Sequence, residues 1–258
     1  CHVNSTGWRR APELLELLGR AQGFGLRLST EMYPWGAAST VMGAPWFDPA
    51  KLDHAGIGPR DMFDASRGRR VRDLEDLAAI RRETPGDIGV FFYLDETAEA
   101  DVAVLDAVLA HPDVAVATDA LPYLSGGQPV RGQAWPLPDD ALAHPRLAGT
   151  FCRTLRWQTR ERSVLTLPEA IRRMTLVPAR IVEAAAPEAR RKARVQPGCD
   201  ADVVAFDPDT VTERATYDDP RRPSHGMRHV LVGGTPLVRD GRLDTTVLPG
   251  RPLRGHGR

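Results

Sequence analysis

No stretch of this 258-residue chain approaches the ~18 consecutive apolar residues that a membrane helix needs, and the opening residues lack the basic-then-apolar pattern of a secretory signal. The expectation is a globular protein, cytoplasmic by default. A surplus of either charge is also missing. Thirty-four Lys and Arg balance 34 Asp and Glu, so no global field draws the chain to nucleic acid or to an anionic membrane. Small molecules are the expected partners. Cysteine is scarce: Cys1, Cys152 and Cys199 are odd in number and irregular in spacing, which fits neither a disulfide framework nor a zinc-finger pair. All three are expected to be reduced. A glycine-rich phosphate loop is absent too, because Gly23 and Gly25 read as a helix stop.

What is present is a chain with 42% hydrophobic residues, enough for one large core or two smaller ones. It opens on CHVNSTG without an initiating methionine, and those residues read as a strand end running into a loop; the expectation is a fragment of a longer protein. Leu14, Leu15, Leu17, Leu18 and Ala21 then fall at helical spacing. LRLSTEMY alternates as a strand and stops at Tyr33-Pro34. Residues 35–64, rich in Gly, Pro and aromatics, read as a functional loop. VRDLEDLAAIRRET reads as a helix, IGVFFYL as a buried strand, residues 96–110 as a helix, and DVAVATDALPY as a short strand ending on an acid. After a proline-rich loop come a helix around Leu155 and LTLPEAIRRMTLVPARIV, whose Thr166 and Glu169 predict a capping box. From Val195 the pattern turns to β: a strand in PGCDADVVAFDP and a Gly-Gly hairpin in HVLVGGTPLV. Alternating strands and helices predict a parallel α/β architecture over residues 1–192, a barrel being the common enzyme version, with about three of its eight units readable. Residues 193–258 are expected to form a small β-domain.

Asp119 follows the apolar run VAVA, at the strand end where a parallel barrel places its catalytic groups. An acid there serves as often as a helix N-cap or a turn residue. His2 also follows an apparent strand end and offers an imidazole to a metal, although a lone histidine is more often structural. His54, His111, His225, His229 and His256 show no paired spacing and read as structural or solvated. Arg146, in the proline-flanked HPRLAGTF, is placed to grip a carboxylate or is one more solvated arginine; Tyr33 and Ser39 either bind substrate or shape a turn.

Taken in order, HVNST, TEMYPWGAAST, ATDALPY, HPRLAGTF, LPEAIRRMTLVPAR, PGCDADVVAFDP and HVLVGGTPLV resemble the N-acyl-D-amino-acid deacylases of the metal-dependent amidohydrolase superfamily, C-terminal part only. The resemblance implies the later strands of a distorted (β/α)8 TIM barrel plus a small β-sandwich. It implies hydrolysis of a linear amide bond with one or two zinc ions, His2 as a metal ligand, Asp119 as the proton-handling acid, and Tyr33, Ser39 and Arg146 at the substrate. The remaining ligands would lie in the missing N-terminal half, so residues 1–258 alone are expected to show little activity; a homo-oligomer is possible for the whole. Asn4 stands where some deacylases carry lysine, which leaves the preferred substrate open. Cyclic amides such as hydantoin or dihydropyrimidine, or a non-catalytic scaffold, are the alternative readings.

Overall fold

The computed structural model describes residues 2–112, 114–132 and 135–255, without the side chains of His54 and Ala55. Cys1, His256 and the His54 side chain, read above as reduced or solvated, lie outside the described residues. No described helix is long and apolar enough to cross a membrane.

Two helices, α1 (Val3–Gly7) and α2 (Ala11–Gly23), follow His2 and lead to the short strand β1 (Thr30–Met32). The chain then makes a long excursion. Strand β2 (Ala37–Val41), helix α3 (Pro49–Ala55), strands β3 (Met62–Asp64) and β4 (Arg69–Arg70), helix α4 (Leu74–Glu83) and strand β5 (Ile88–Phe92) build a separate antiparallel sheet ordered β2-β5-β3-β4. Helix α5 (Glu99–Ala110) returns the chain to β6 (Val114–Val116), which pairs with β1 in parallel, Thr30 opposite Val114 and Met32 opposite Val116. His2 bridges Glu31 in parallel on the other side. Three chain segments therefore lie side by side, all running the same way, so His2, Tyr33 and the residues after Val116 emerge at one end.

Two expectations are corrected. IGVFFYL is buried as read, but β5 pairs antiparallel with β2 and β3 rather than joining the parallel strands. Residues 35–64, read as a functional loop, instead carry β2, α3 and β3. The first has its cause in the pattern itself, because a run of apolar residues signals burial on two faces but carries no information about the direction of its neighbours; the second arises because strands of three to five residues among glycines and prolines leave no periodicity to read.

Beyond β6, a two-strand ribbon of β7 (Leu124–Ser125) and β8 (Gln128–Pro129) precedes α6 (Arg146–Arg153), which continues into a π-helical stretch at 154–161. The expected single helix over LTLPEAIRRMTLVPARIV is two, α7 (Leu167–Met174) and α8 (Leu176–Val182), broken at Thr175. Thr166 caps α7 through Oγ1, which accepts from the Glu169 amide at 3.4 Å. Glu169 turns instead to Arg172 and Arg173, and these hold its carboxyl down at about 2. A final antiparallel sheet, β9 (Val203–Phe206), β10 (Met227–Val232), β11 (Thr235–Arg239) and β12 (Arg242–Leu243), contains the expected hairpin. Gly233 and Gly234 have φ of 56° and 80°, the left-handed pair that a two-residue hairpin turn requires.

The main core gathers β1, β6, α5, the π-helical stretch and α7 around Met32, Leu105, Leu109, Val114, Val116, Leu155 and Ala170. It runs on into the excursion through Phe47, Met62, Leu77 and Phe91. Gly89 in β5 lies under this packing: a Cβ there would sit 2.2 Å from Met42 Sδ and 2.5 Å from the Phe47 ring. Gly89→Ala is expected to lower stability by about 1–3 kcal/mol through overpacking, measured as a shift in the denaturant midpoint; an unchanged midpoint would show that Met42 and Phe47 yield freely.

Candidate active site

The last ladder bond between the parallel strands runs from the Ala117 amide to the Met32 carbonyl, at 2.9 Å. Asp119 follows in the left-handed region at φ 46°, a conformation that costs a non-glycine residue ~1–3 kcal/mol and persists only where the surroundings impose it. No helix starts here, so Asp119 is not an N-cap. Its carboxylate bridges two partners instead. Oδ1 lies 3.0 Å from His2 Nε2, and Oδ2 lies 2.9 Å from Arg146 Nη1.

His2 is held from both sides. Its Nδ1 lies 2.9 Å from Glu31 Oε1, so the ring sits between two carboxylates and its pKa is raised to about 9, by Asp119 first and Glu31 second. Glu31 in turn is held below the usual carboxylate range by His2. A carboxylate on the far nitrogen is how ligand histidines are commonly oriented, and here it leaves Nε2 facing Asp119.

Arg146, the first residue of α6, is 1% exposed. Asp119 is its acid partner among the described residues; its guanidinium stands 4.4 Å over the Tyr33 ring, and Nη2 reaches the Ser39 carbonyl at 3.4 Å. Nε has no partner. Tyr33 is fully buried and forms the floor beneath the guanidinium. Ser39 enters through its carbonyl, and its buried hydroxyl has no hydrogen-bond partner among the described residues. The five residues singled out in the sequence thus meet at one place.

Three others were missed. Glu31 looked like one polar residue in an alternating strand. His144, the first residue of HPRLAGTF, is buried and uses both ring nitrogens: Nδ1 accepts from the Arg146 amide at 3.0 Å, and Nε2 donates to the Ala37 carbonyl at 3.1 Å. That pairing requires the neutral ring, and burial pushes its pKa well below the ordinary histidine value. The signal was the short His-Pro-Arg spacing. Tyr93 was hidden in the excursion: Asn4 Nδ2 donates to its hydroxyl at 2.7 Å and to the Tyr33 carbonyl at 2.9 Å, and the Tyr93 hydroxyl donates to the Trp35 carbonyl. Asn4 therefore locks the turn that carries Tyr33.

Similarity to known proteins follows the same chain. A sequence model described as "Amidohydrolase family" matches residues 131–238. N-acyl-D-glutamate deacylase of Alcaligenes xylosoxydans xylosoxydans is 30% identical over 253 residues, 96% of this chain and 45% of that protein. N-acyl-D-aspartate deacylase of the same organism is 30% identical over 95% of this chain and 44% of its own length. The crystal structure of N-acyl-D-glutamate deacylase from Bordetella bronchiseptica, complexed with zinc and a phosphonate mimic of the tetrahedral intermediate, superposes with a TM-score of 0.67 at 30% identity, over 96% of this chain and 47% of that one. Over nearly its whole length this chain is similar to N-acyl-D-amino-acid deacylases. It spans just under half the length of those deacylases. The amidohydrolase match begins after Asp119, so the similarity of the parallel strand ends rests on the longer alignments.

The geometry has two measurable consequences. In metal-free protein, His2 is expected to titrate near pH 9 by NMR, so its contribution to stability is complete below pH 6.5 and is lost as pH rises through 9. Asp119→Asn is expected to return most of that shift; a His2 that titrates near 6.5 in the parent protein would contradict the carboxylate cradle. His144→Leu leaves the Arg146 amide and the Ala37 carbonyl without partners, and is expected to cost about 2–4 kcal/mol in chemical denaturation.

Proposed function

We propose that this chain is the C-terminal part of a metal-dependent hydrolase that cleaves N-acyl-D-amino acids to a carboxylate and a D-amino acid. The observation that carries this reading is Asp119, held in a strained backbone conformation with its carboxylate between His2 and Arg146. On this reading the segments at His2, β1 and β6 are the last three strands of a distorted (β/α)8 barrel spanning residues 1–192, and the sheet β9–β12 belongs to a small β-sandwich over 193–258.

The donor types suit zinc: an imidazole nitrogen and a carboxylate oxygen stand 3.0 Å apart at the strand ends, with Glu31 behind the imidazole. No group of three or more His, Cys, Asp or Glu able to hold a metal occurs among the described residues, so further ligands would come from the half of the relatives' length that this chain does not span. Zinc held by His2 beside Asp119 would supply polarisation of the amide carbonyl and acidify the attacking water.

The chain's own residues do the rest. His2 must shed its proton before Nε2 can act as a ligand, so ligation is favoured by rising pH. Asp119 accepts the proton of the attacking water and delivers it to the amide nitrogen, which cannot leave as an anion. Arg146 carries donors not fully engaged, Nε and the long-bonded Nη2, and these suit a two-point grip on the substrate carboxylate. The same side chain also orients Asp119 through Nη1. His144 and Tyr33 fix the arginine from its backbone and its face.

In the full-length protein, Asp119→Asn is expected to lower kcat on N-acetyl-D-amino acids by about 100-fold or more, with zinc content unchanged. Near-parental turnover with zinc bound would sink the proton-transfer role, and turnover of hydantoin alone would move the protein to the cyclic amidases. Arg146→Lys keeps the charge but loses the two-point grip, so KM is expected to rise about tenfold; a fall in kcat at unchanged KM would make Arg146 a holder of Asp119 only.

A further inference from the structure

A cavity of about 790 Å³ opens between the end of α1, the end of β5 and the excursion. Its wall is crowded with charged groups, and most of them already have an ion-pair or hydrogen-bond partner. Arg9 is paired with Asp101 and Arg10 with Glu13. Asp61 accepts from the Gly58 amide, Asp95 caps the Thr97 amide and hydroxyl, and Glu96 accepts from Gly36 and Arg153. Arg70 differs. Its guanidinium lies 4.0 Å over the Phe92 ring, and Nη1 reaches only the Arg60 carbonyl, at 3.4 Å, with no acid partner among the described residues.

Two further wall residues carry unanswered donors. The Trp8 indole nitrogen and the Tyr217 hydroxyl are both buried without a hydrogen-bond partner among the described residues. Leaving a buried donor unpaired is unfavourable, and residues that do so in a cavity wall mark a place for an acceptor. Trp8 is held besides at φ 49°, a left-handed conformation rare for a bulky residue. After this accounting the wall holds one cation without an acid partner, Arg70 stacked on Phe92, and two neutral donors, beside the carboxylates of Asp61 and Asp95, whose partners are neutral amides and a hydroxyl.

We propose that this cavity binds a carboxylate, with Arg70 as its charge partner and Trp8 and Tyr217 donating to it. A planar anion on a guanidinium that is already stacked on an aromatic ring suits these groups. The carboxylate has two possible sources: the acidic side chain of an N-acyl-D-amino acid, which rests on the function proposed above, or a separate small dicarboxylate. The cavity adjoins the active site through two of its own wall residues. Tyr93 is bonded to Asn4, and the Tyr217 ring stands 5.1 Å from that of His144, which holds Arg146.

The test uses the full-length protein and glutarate as the probe, followed by calorimetry, together with kcat/KM for N-acetyl-D-glutamate and N-acetyl-D-leucine. Arg70→Gln is expected to weaken glutarate binding at least tenfold. If the side chain is the source, the glutamate-to-leucine ratio of kcat/KM also falls at least tenfold; if a separate ligand is the source, glutarate binding weakens while that ratio stays. Should Arg70→Gln melt early, Trp8→Phe and Tyr217→Phe remove one donor each at nearly constant shape, and either is expected to weaken glutarate binding severalfold. Protein that turns over neither substrate yet binds glutarate through Arg70 would reject the deacylase reading and keep the cavity site. Glutarate binding that is absent, or unaltered by these substitutions, together with an unchanged ratio, would overturn the proposal.

Discussion

The structure depends on how one buried cation is satisfied. Arg146 is almost wholly withdrawn from water, and an isolated guanidinium in that position would be untenable. The fold answers with an acid, an aromatic face, a backbone carbonyl and a histidine on its own amide, drawn from four separate stretches of chain. Asp119 comes from the end of β6, Tyr33 from the end of β1, Ser39 from the excursion and His144 from the loop before α6. Charge satisfaction and assembly of the site are the same event. The strained backbone at Asp119 fits this picture, because the carboxylate reaches both His2 and Arg146 from that conformation.

A second layer holds the turn after β1. Arg153 lies between Trp35 and Trp157, donates to the Pro34 carbonyl at 2.7 Å and pairs with Glu96, whose other oxygen takes the Gly36 amide. Asn4 and Tyr93 grip the same turn from below. The backbone between Tyr33 and Ala37 is thus bonded at nearly every polar group, so the aromatic floor under Arg146 stays fixed without contributing any ionisable group of its own near neutrality. Asn4 is a neutral amide spent on this scaffolding.

Much of this was legible from residue order. Asp119, Arg146 and His2 were recognisable because each stands at a strand end or in a proline-bounded motif, and such punctuation survives in one dimension. The excursion was not. Its strands are two to five residues long and its sheet is antiparallel, so neither alternation nor length separated it from loop and parallel strand. Glu31 and Tyr93 were invisible for another reason: each acts through a partner 29 or more positions away, and no local pattern encodes such a meeting. The break at Thr175 was masked by a helical stripe that continues on both sides of it.

The excursion also bears on how the chain reaches its native state. Thr30 and Val114 are neighbours in space but distant in sequence, a pairing that costs chain entropy to close. Ala37 and Phe92, however, are themselves paired at the mouth of the excursion, so its sheet is a detour already tied at the neck. Once that sheet has formed, the stretches 33–36 and 93–112 are what separates it from β1 and β6. The inserted sheet thus acts as a clasp: by pairing β2 with β5 it shortens the effective chain that must close before β1 and β6 lie side by side.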